Sequence, residues 1–423
     1  MTHHGTVLIT VILLLTALTA ETQANNVVGS ASVSVFGAVP KEIEDRARLT
    51  ATAHFSEELQ IWLRQEMHIG IDTSNTIRNY ALRKLVERCL KNATESTTTR
   101  GRIWTLSLTL SESAVRSALQ AHNSHYDTEA SRMLLTANNP DPNAALPATI
   151  GALCAAMAKI EPTGASRGVN VNEVRASAQE LLDRVRVSAP NTVIEGRPGS
   201  LPHKAPLATF TIDSIPLTGL NMVAFVQNGR EFTRVATDSR GELPMKNYKV
   251  PFVHNGSMLT VSPDARSYIN ADRFIRYRDL GLRLNRGQEL SFIFKIPTLT
   301  YTLDFKVFTH EPEVKIPPEF SNDAHVRKYL KDACGLVPAT GGAAPDLRIR
   351  IGAQITKELY NELEEDGFKM TMRAEFQGAG INKVHQEVFE KRQRFGLSFQ
   401  TGAYFVEASG AIREMIINAL AKD

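Results

Sequence analysis

The chain has 423 residues, of which 43% are hydrophobic and 22% charged, a composition that excludes global disorder, collagen-like repeats and a multi-span membrane protein. At about 150 residues per domain this length predicts two or three domains. The formal charge of +3, from 48 Lys and Arg against 45 Asp and Glu, gives no reason to invoke nucleic acid, and three cysteines are too few for a disulfide-dense scaffold.

The N-terminus carries an apolar run over residues 7–20 and then small residues at Thr22 and Ala24, the pattern of a signal peptide cleaved after Ala24, with residues 18–20 as an alternative exit. The run is shorter than the roughly 20 residues that cross a bilayer core, which favours cleavage over anchoring. The n-region lacks Lys and Arg. The first cysteine is Cys89, so none stands at the cleavage point to take a lipid. The expected location is therefore exported, in the periplasm or outer envelope, with membrane contact only peripheral or through partners.

In the mature chain, residues 31–35 alternate apolar and small polar side chains as a half-buried strand does. Ile43, Ala47, Ala51, Phe55, Leu59 and Leu63 follow at i+4 steps, which predicts a long helix with one apolar stripe, and Pro40 suits its first turn. Ile77, Ala81, Leu85 and Cys89 repeat the pattern. Residues 104–110 alternate strictly and read as a strand, after which Ser111 is placed to cap a helix over 112–121. Further helices are predicted over 128–137, 143–159 and 171–186, the second with Asp141 as cap and Pro142 in its first turn. Residues 25–188 thus form a helix-rich α+β domain.

The Pro- and Gly-rich stretch 189–206 reads as a linker. Beyond it the period becomes strand-like. Asn228-Gly229 between apolar runs signals a hairpin, Asn255-Gly256 offers a second turn, and Asp238 to Gly241 suits a type I turn. Tyr301, Leu303, Phe305 and Val307 alternate with polar residues, and a β-sandwich is predicted over 207–310. A second linker, 311–322, leads to an α/β domain over 323–423. It opens with a helix carrying Val326, Leu330 and Cys334. A long hairpin follows, with Leu347, Ile349, Ile351, Ala353 and Ile355 in one arm and Phe368, Met370, Met372, Ala374 and Phe376 in the other, the turn falling at residues 365–367. Helix propensity around 357–365 opposes the hairpin. A final helix over 404–420 carries Ala408, Ile412, Ile416 and Leu420. The fold class expected is multidomain α+β.

Two resemblances accompany this reading. The order of short strand, Ala-rich long helix, second helix and alternating strand, carried by residues 47–53 and 104–110, is similar to the LPP-twenty-type bacterial lipoproteins and to the N-terminal domain of flagellar assembly protein T. The stretch 216–226 followed by Ala236-Thr-Asp-Ser-Arg-Gly241 resembles immunoglobulin-like or transthyretin-like modules of bacterial surface proteins. The first implies an envelope scaffold or accessory protein without known chemistry to transfer; the second speaks to fold alone.

Chemistry-bearing motifs are few. His122 and His125, with Glu129 a turn further on, make a conceivable metal patch, but Asn123-Ser124 weakens a continuous helix and no zinc spacing supports it, so a surface loop is expected. Gly341-Gly342 lacks the Lys and Ser/Thr of a phosphate loop. The acidic pairs Glu57-Glu58 and Glu364-Glu365 read as solvated faces. The best candidate for ligand contact is the cluster Arg273, Phe274, Arg276, Tyr277 and Arg278, because guanidinium forks pair with carboxylate or phosphate and a ring stacks on a sugar or base. On a strand that cluster splits between two faces, and a solvated edge that resists strand-to-strand association is the favoured reading. No cofactor or metal is implied. The function expected is an exported cell-envelope scaffold or accessory protein acting by binding, not an enzyme, with an envelope protein or glycan as partner and no nucleic acid. The alternative is a glycan or anionic-polymer binding protein using the β-sandwich; an enzyme whose site is assembled from distant residues is a third reading. Cys89, Cys154 and Cys334 each sit on an apolar helical stripe and read as three buried free thiols.

Overall fold

The computed structural model describes residues 26–34, 39, 41–162, 168–226, 230–285, 287–310, 316–360, 365–394 and 401–421. The signal-peptide stretch, Pro40 and the Asn228-Gly229 turn lie outside them. The chain is a mixed helix-and-sheet protein and divides into two compact units. The first comprises Met1–Arg186, Thr211–Asn221 and Pro263–Gln288, and the second Val187–Phe210, Met222–Ser262 and Glu289–Asp423.

The first unit opens with β1 (Asn26–Ser34), α1 (Lys41–Glu66), α2 (Thr76–Leu90), β2 (Thr94–Arg100) and β3 (Ile103–Ser111). The strands form an antiparallel sheet in the order β1-β3-β2. All six residues of the α1 stripe are buried, Ala51, Phe55, Leu59 and Leu63 completely. Burying a Leu or Phe side chain contributes about 1.5–3 kcal/mol, so this face holds the helix to its sheet. Gly29 makes the approach close: a Cβ there would stand 2.3 Å from the Ala51 carbonyl oxygen. Trp104, Leu106, Leu108 and Leu110 of β3 turn inward, while Thr105, Ser107 and Thr109 face outward beside Thr98, Ser96 and Thr94 of β2.

Ser111 caps the next helix as expected, accepting from the Ala114 N–H. That helix, α3 (Glu112–Ala137), is continuous where two shorter helices and a loop were expected. The Asn123 side chain explains why. It donates to the Ile160 carbonyl and accepts the Ile160 N–H, so its amide is engaged outside the helix rather than competing with the helical backbone. Two more helices complete the bundle, α4 (Pro142–Ala158), capped by Asp141, and α5 (Val171–Asp183). Residues 150–158 of α4 are buried throughout.

The chain continues through β4 (Val185–Asn191), β5 (Val193–Glu195), β6 (Leu207–Ile212), β7 (Ile215–Pro216), β8 (Asn221–Val226), β9 (Arg230–Ala236), β10 (Met258–Pro263), β11 (Leu290–Lys295) and β12 (Thr300–Thr309). The stretch read as the first linker therefore carries the end of β4 and all of β5, with Ile194 buried. One sheet runs β5-β11-β10-β8-β9 and a small one β4-β6-β7. The Asp238 to Gly241 turn closes through a Gly241 N–H to Asp238 carbonyl bond of 2.9 Å.

The rest of the second unit contains α6 (Pro318–Ser321), α7 (Ala324–Cys334), β13 (Val337–Pro338), β14 (Leu347–Tyr360), β15 (Glu365–Gly378), β16 (Ile381–Arg394) and α8 (Thr401–Ala421). Its sheet runs β13-β12-β14-β15-β16. The strand β12, grouped with the middle sandwich from sequence, pairs parallel to β14 from Tyr301↔Leu347 to Thr309↔Ile355. The hairpin of β14 and β15 is present, paired out to Tyr360↔Glu365. Residues 365–367, taken as its turn, belong to β15. Residues 357–360 are strand despite their helix propensity, because fourteen pairs along β15 outweigh a local preference. Sheet and helices enclose one core that includes Tyr301, Leu330, Ile351, Met370, Phe376, Tyr404 and Ile412.

Candidate functional site

The expected Arg/aromatic cluster does not form a strand. It lies in the segment Pro263–Gln288 of the first unit, as bends at residues 272 and 273 and a short 3-10 turn over Tyr277–Leu280. That segment is fastened to the helices at several points. The Tyr80 hydroxyl donates to the Ile269 carbonyl at 2.6 Å, the Asn75 side chain donates to the Asp279 carbonyl, and Arg83 forks onto both oxygens of Asp272 at 3.1 and 2.7 Å. Arg175 holds the Leu280 carbonyl, and Gln288 reaches the carbonyl of Leu182. An Asp264–Arg266 ion pair is buried within the segment.

Where this segment meets the start of α2 there is a cleft of about 160 Å3, near the size of an engineered cavity of about 150 Å3 that admits benzene. Thr73, Ser74, Thr76 and Asn79 line one side; Asp272, Arg273 and Phe274 line the other, with Tyr80 and Arg83 between them. Asn75 caps α2, accepting the N–H groups of Ile77 and Arg78, and its neighbours Ser74 and Thr76 are thereby fixed at the rim. Asp72 accepts both the hydroxyl and the N–H of Ser74, which hold its carboxyl below the usual carboxylate range.

The charges are uneven. The Arg83 fork holds the Asp272 carboxyl down to about 2, so these two cancel at neutral pH. Arg273, exposed at the rim, then leaves one net positive charge. The Phe274 ring has two other guanidinium groups over it, its centroid 5.6 Å from that of Arg266 and 5.7 Å from that of Arg276. Such an arrangement offers a cation, several hydroxyls and a primary amide beside an aromatic wall, a set suited to a carboxylate or phosphate group.

Of the five expected residues, the structure brings Arg273 and Phe274 into the cleft. Arg276 touches it only through the Phe274 ring; its N–H donates to Asp279. Tyr277 is buried, 1% exposed, and burial raises its phenol well above the ordinary range. Arg278 is exposed and does not line the cleft. Thr73, Ser74, Thr76, Asn79 and Arg83 were missed. About 190 residues separate them from Phe274 in sequence, and the only local signal was the helix-start run of small polar residues at 72–76.

The His122 patch is also corrected. His122 lies inside a helix, fully buried, and its Nε2 donates to the Ala158 carbonyl at 3.0 Å, whereas His125 is exposed and Glu129 pairs with Arg132. Among the described residues no group of three His, Cys, Asp or Glu could hold a metal ion. No described helix is long and apolar enough to cross a membrane. The three cysteines are buried and free, as expected.

No protein-family model matches the chain, and no curated protein matches it. The solved structures with slight likeness include two that illustrate its extent. An uncharacterised protein is 12% identical, with 28% of this chain and 99% of that one covered and a TM-score of 0.18. A "putative protease" from Parabacteroides distasonis is 10% identical, with 77% and 65% covered and a TM-score of 0.12. Neither likeness carries an argument about fold or activity.

Proposed function

We propose that this chain is an exported cell-envelope protein acting by binding rather than catalysis, and that the cleft at the start of α2 receives an anionic group of a glycan or related envelope polymer. The observation that carries the reading is that Arg273 lines one cleft with Thr73, Ser74 and Thr76, with the neighbouring Arg83–Asp272 pair already neutral. The signal-peptide pattern and the likeness of the first strands and helices to the LPP-twenty-type and flagellar assembly protein T domains support the compartment. The Ala236 to Gly241 turn supports an immunoglobulin- or transthyretin-like module in the middle region. The sequence alternative put the ligand on a sandwich; the cleft belongs instead to the helix-rich unit.

Retention on immobilised uronate- or phosphate-bearing oligosaccharide tests the reading, with a neutral oligosaccharide as control. A hydrogen bond to a charged group contributes about 1.5–3 kcal/mol, so Arg273→Ala should weaken retention roughly tenfold or more. Arg278→Ala, outside the cleft, should leave it unchanged. Equal retention by wild type and Arg273→Ala would defeat the assignment.

A further inference from the structure

The last strand of the C-terminal sheet, β16, is fourteen residues long and among the described residues no strand pairs with its outer side. Its pairing with β15 runs without a bulge from Gly378↔Ile381 to Glu365↔Arg394, and its sequence contains no proline. Two common means of blunting an edge are thus absent. The connection is a two-residue turn, Ala379 and Gly380, both at positive φ of 50° and 77°, so the flanking residues Gly378 and Ile381 form the first hydrogen-bonded pair. The odd-numbered residues of β16 therefore bond to β15, and the even-numbered ones, Asn382 to Glu390, turn their N–H and C=O groups toward the open side.

On that strand Val384 and Val388 are 58% and 55% exposed, on the face away from Phe389, whose ring lies 5.5 Å from Tyr404 of α8. We propose that β16 pairs antiparallel with β16 of a second copy of this chain, about a two-fold axis through Gln386, giving one continuous sheet with five strands from each copy. The residues themselves select this register. Opposite Gln386 stands its own equivalent; Val384 faces Val388, His385 faces Glu387 and Asn382 faces Glu390, so apolar meets apolar, an imidazole meets a carboxylate and an amide meets a carboxylate. Residues directly opposite on one face of an antiparallel pair are close enough to interact, and like charges placed there are unfavourable. The outward groups of the even-numbered residues also meet as hydrogen-bonded pairs in this register, and an isologous two-fold contact uses the same edge on both copies and so closes at the dimer.

The edge strand β2 is a useful contrast. Its sequence is Thr-Glu-Ser-Thr-Thr-Thr-Arg and every residue is exposed, so pairing it would bury no large apolar side chain.

Sedimentation velocity of the full mature chain from about 1 to 100 μM, the affinity range of a modest interface, tests the proposal. The expected result is a concentration-dependent dimer. Gln386→Pro removes an N–H that points to the open side and none that bonds to β15, and should give a monomer. The double variant Val384→Lys/Val388→Lys leaves the backbone intact, sets lysines opposite one another across the axis and should also give a monomer, with its far-ultraviolet circular dichroism and melting unchanged. A wild-type chain that stays monomeric over the whole range, or a dimer that persists in the double-lysine variant, overturns the proposal. Neither result bears on the cleft of the first unit.

Discussion

Single side chains report most directly on how tightly the first unit is packed. His122 is fully buried, with Arg88 and His125 as the charged or titratable groups that act on it, and burial lowers its imidazole from 6.5 to about 4. In that window the unfolded chain binds a proton at this residue and the native protein does not. The stabilisation is therefore complete above pH 6.5 and is lost as the pH falls toward 4, by about 3 kcal/mol for a shift of this size. Urea unfolding at pH 7 and pH 4.5 should show His122→Gln losing less stability than wild type over that interval; equal losses would show that the residue is not the source. The thiols make a second case. Burial pushes those of Cys89 and Cys334 up to about 12 and that of Cys154 higher still, so almost no thiolate exists at neutral pH. A maleimide reagent should label none of the three in the native protein within minutes and all three in guanidinium.

At the level of elements, what was legible in the sequence is what depends on neighbours in sequence. The i+4 stripe of α1 and the alternating arms of β14 and β15 encode their own buried faces, so periodicity found them. β16 went unseen because its α8-side positions, Ile381, Lys383, His385, Glu387 and Phe389, are only partly apolar; they are partly buried, and the His385 and Asn418 side chains share the Glu387 carboxylate at 2.8 and 3.2 Å. A polar contact between distant elements leaves no period in the sequence. The same limit applies to the cleft, where arginine and ring chemistry marked Arg273 and Phe274, yet their hydroxyl-bearing partners lie on another element. Close approach between elements is likewise invisible until the fold is known, and Gly29 tests it. Its Cβ would meet the Ala51 oxygen, the Phe55 nitrogen and the Phe55 Cβ, all within 2.5 Å. Gly29→Ala must push α1 off the sheet or bend β1, at a cost of about 1–3 kcal/mol as for other overpacked cores. A midpoint in urea indistinguishable from wild type would show that the contact yields freely.

On the scale of the whole molecule, the boundary read from sequence after residue 188 divides linear segments, whereas the first unit is assembled from three separated ones. Its last piece, Pro263–Gln288, brings Ile275, Tyr277, Leu280 and Leu282, all at most 2% exposed, together with the Ile269 carbonyl for Tyr80 and Asp272 for Arg83. Four such side chains contribute about 6–12 kcal/mol by burial, comparable to the whole stability of a typical domain, about 5–15 kcal/mol. The fragment 26–188 should therefore lack a cooperative thermal transition and bind a hydrophobic dye, while the full chain melts cooperatively. Supplying 263–288 through a short linker should restore part of the transition, since loop-closure entropy grows only slowly with length. If the fragment alone melts at the temperature of the full chain, the helical core does not depend on the third segment for its stability.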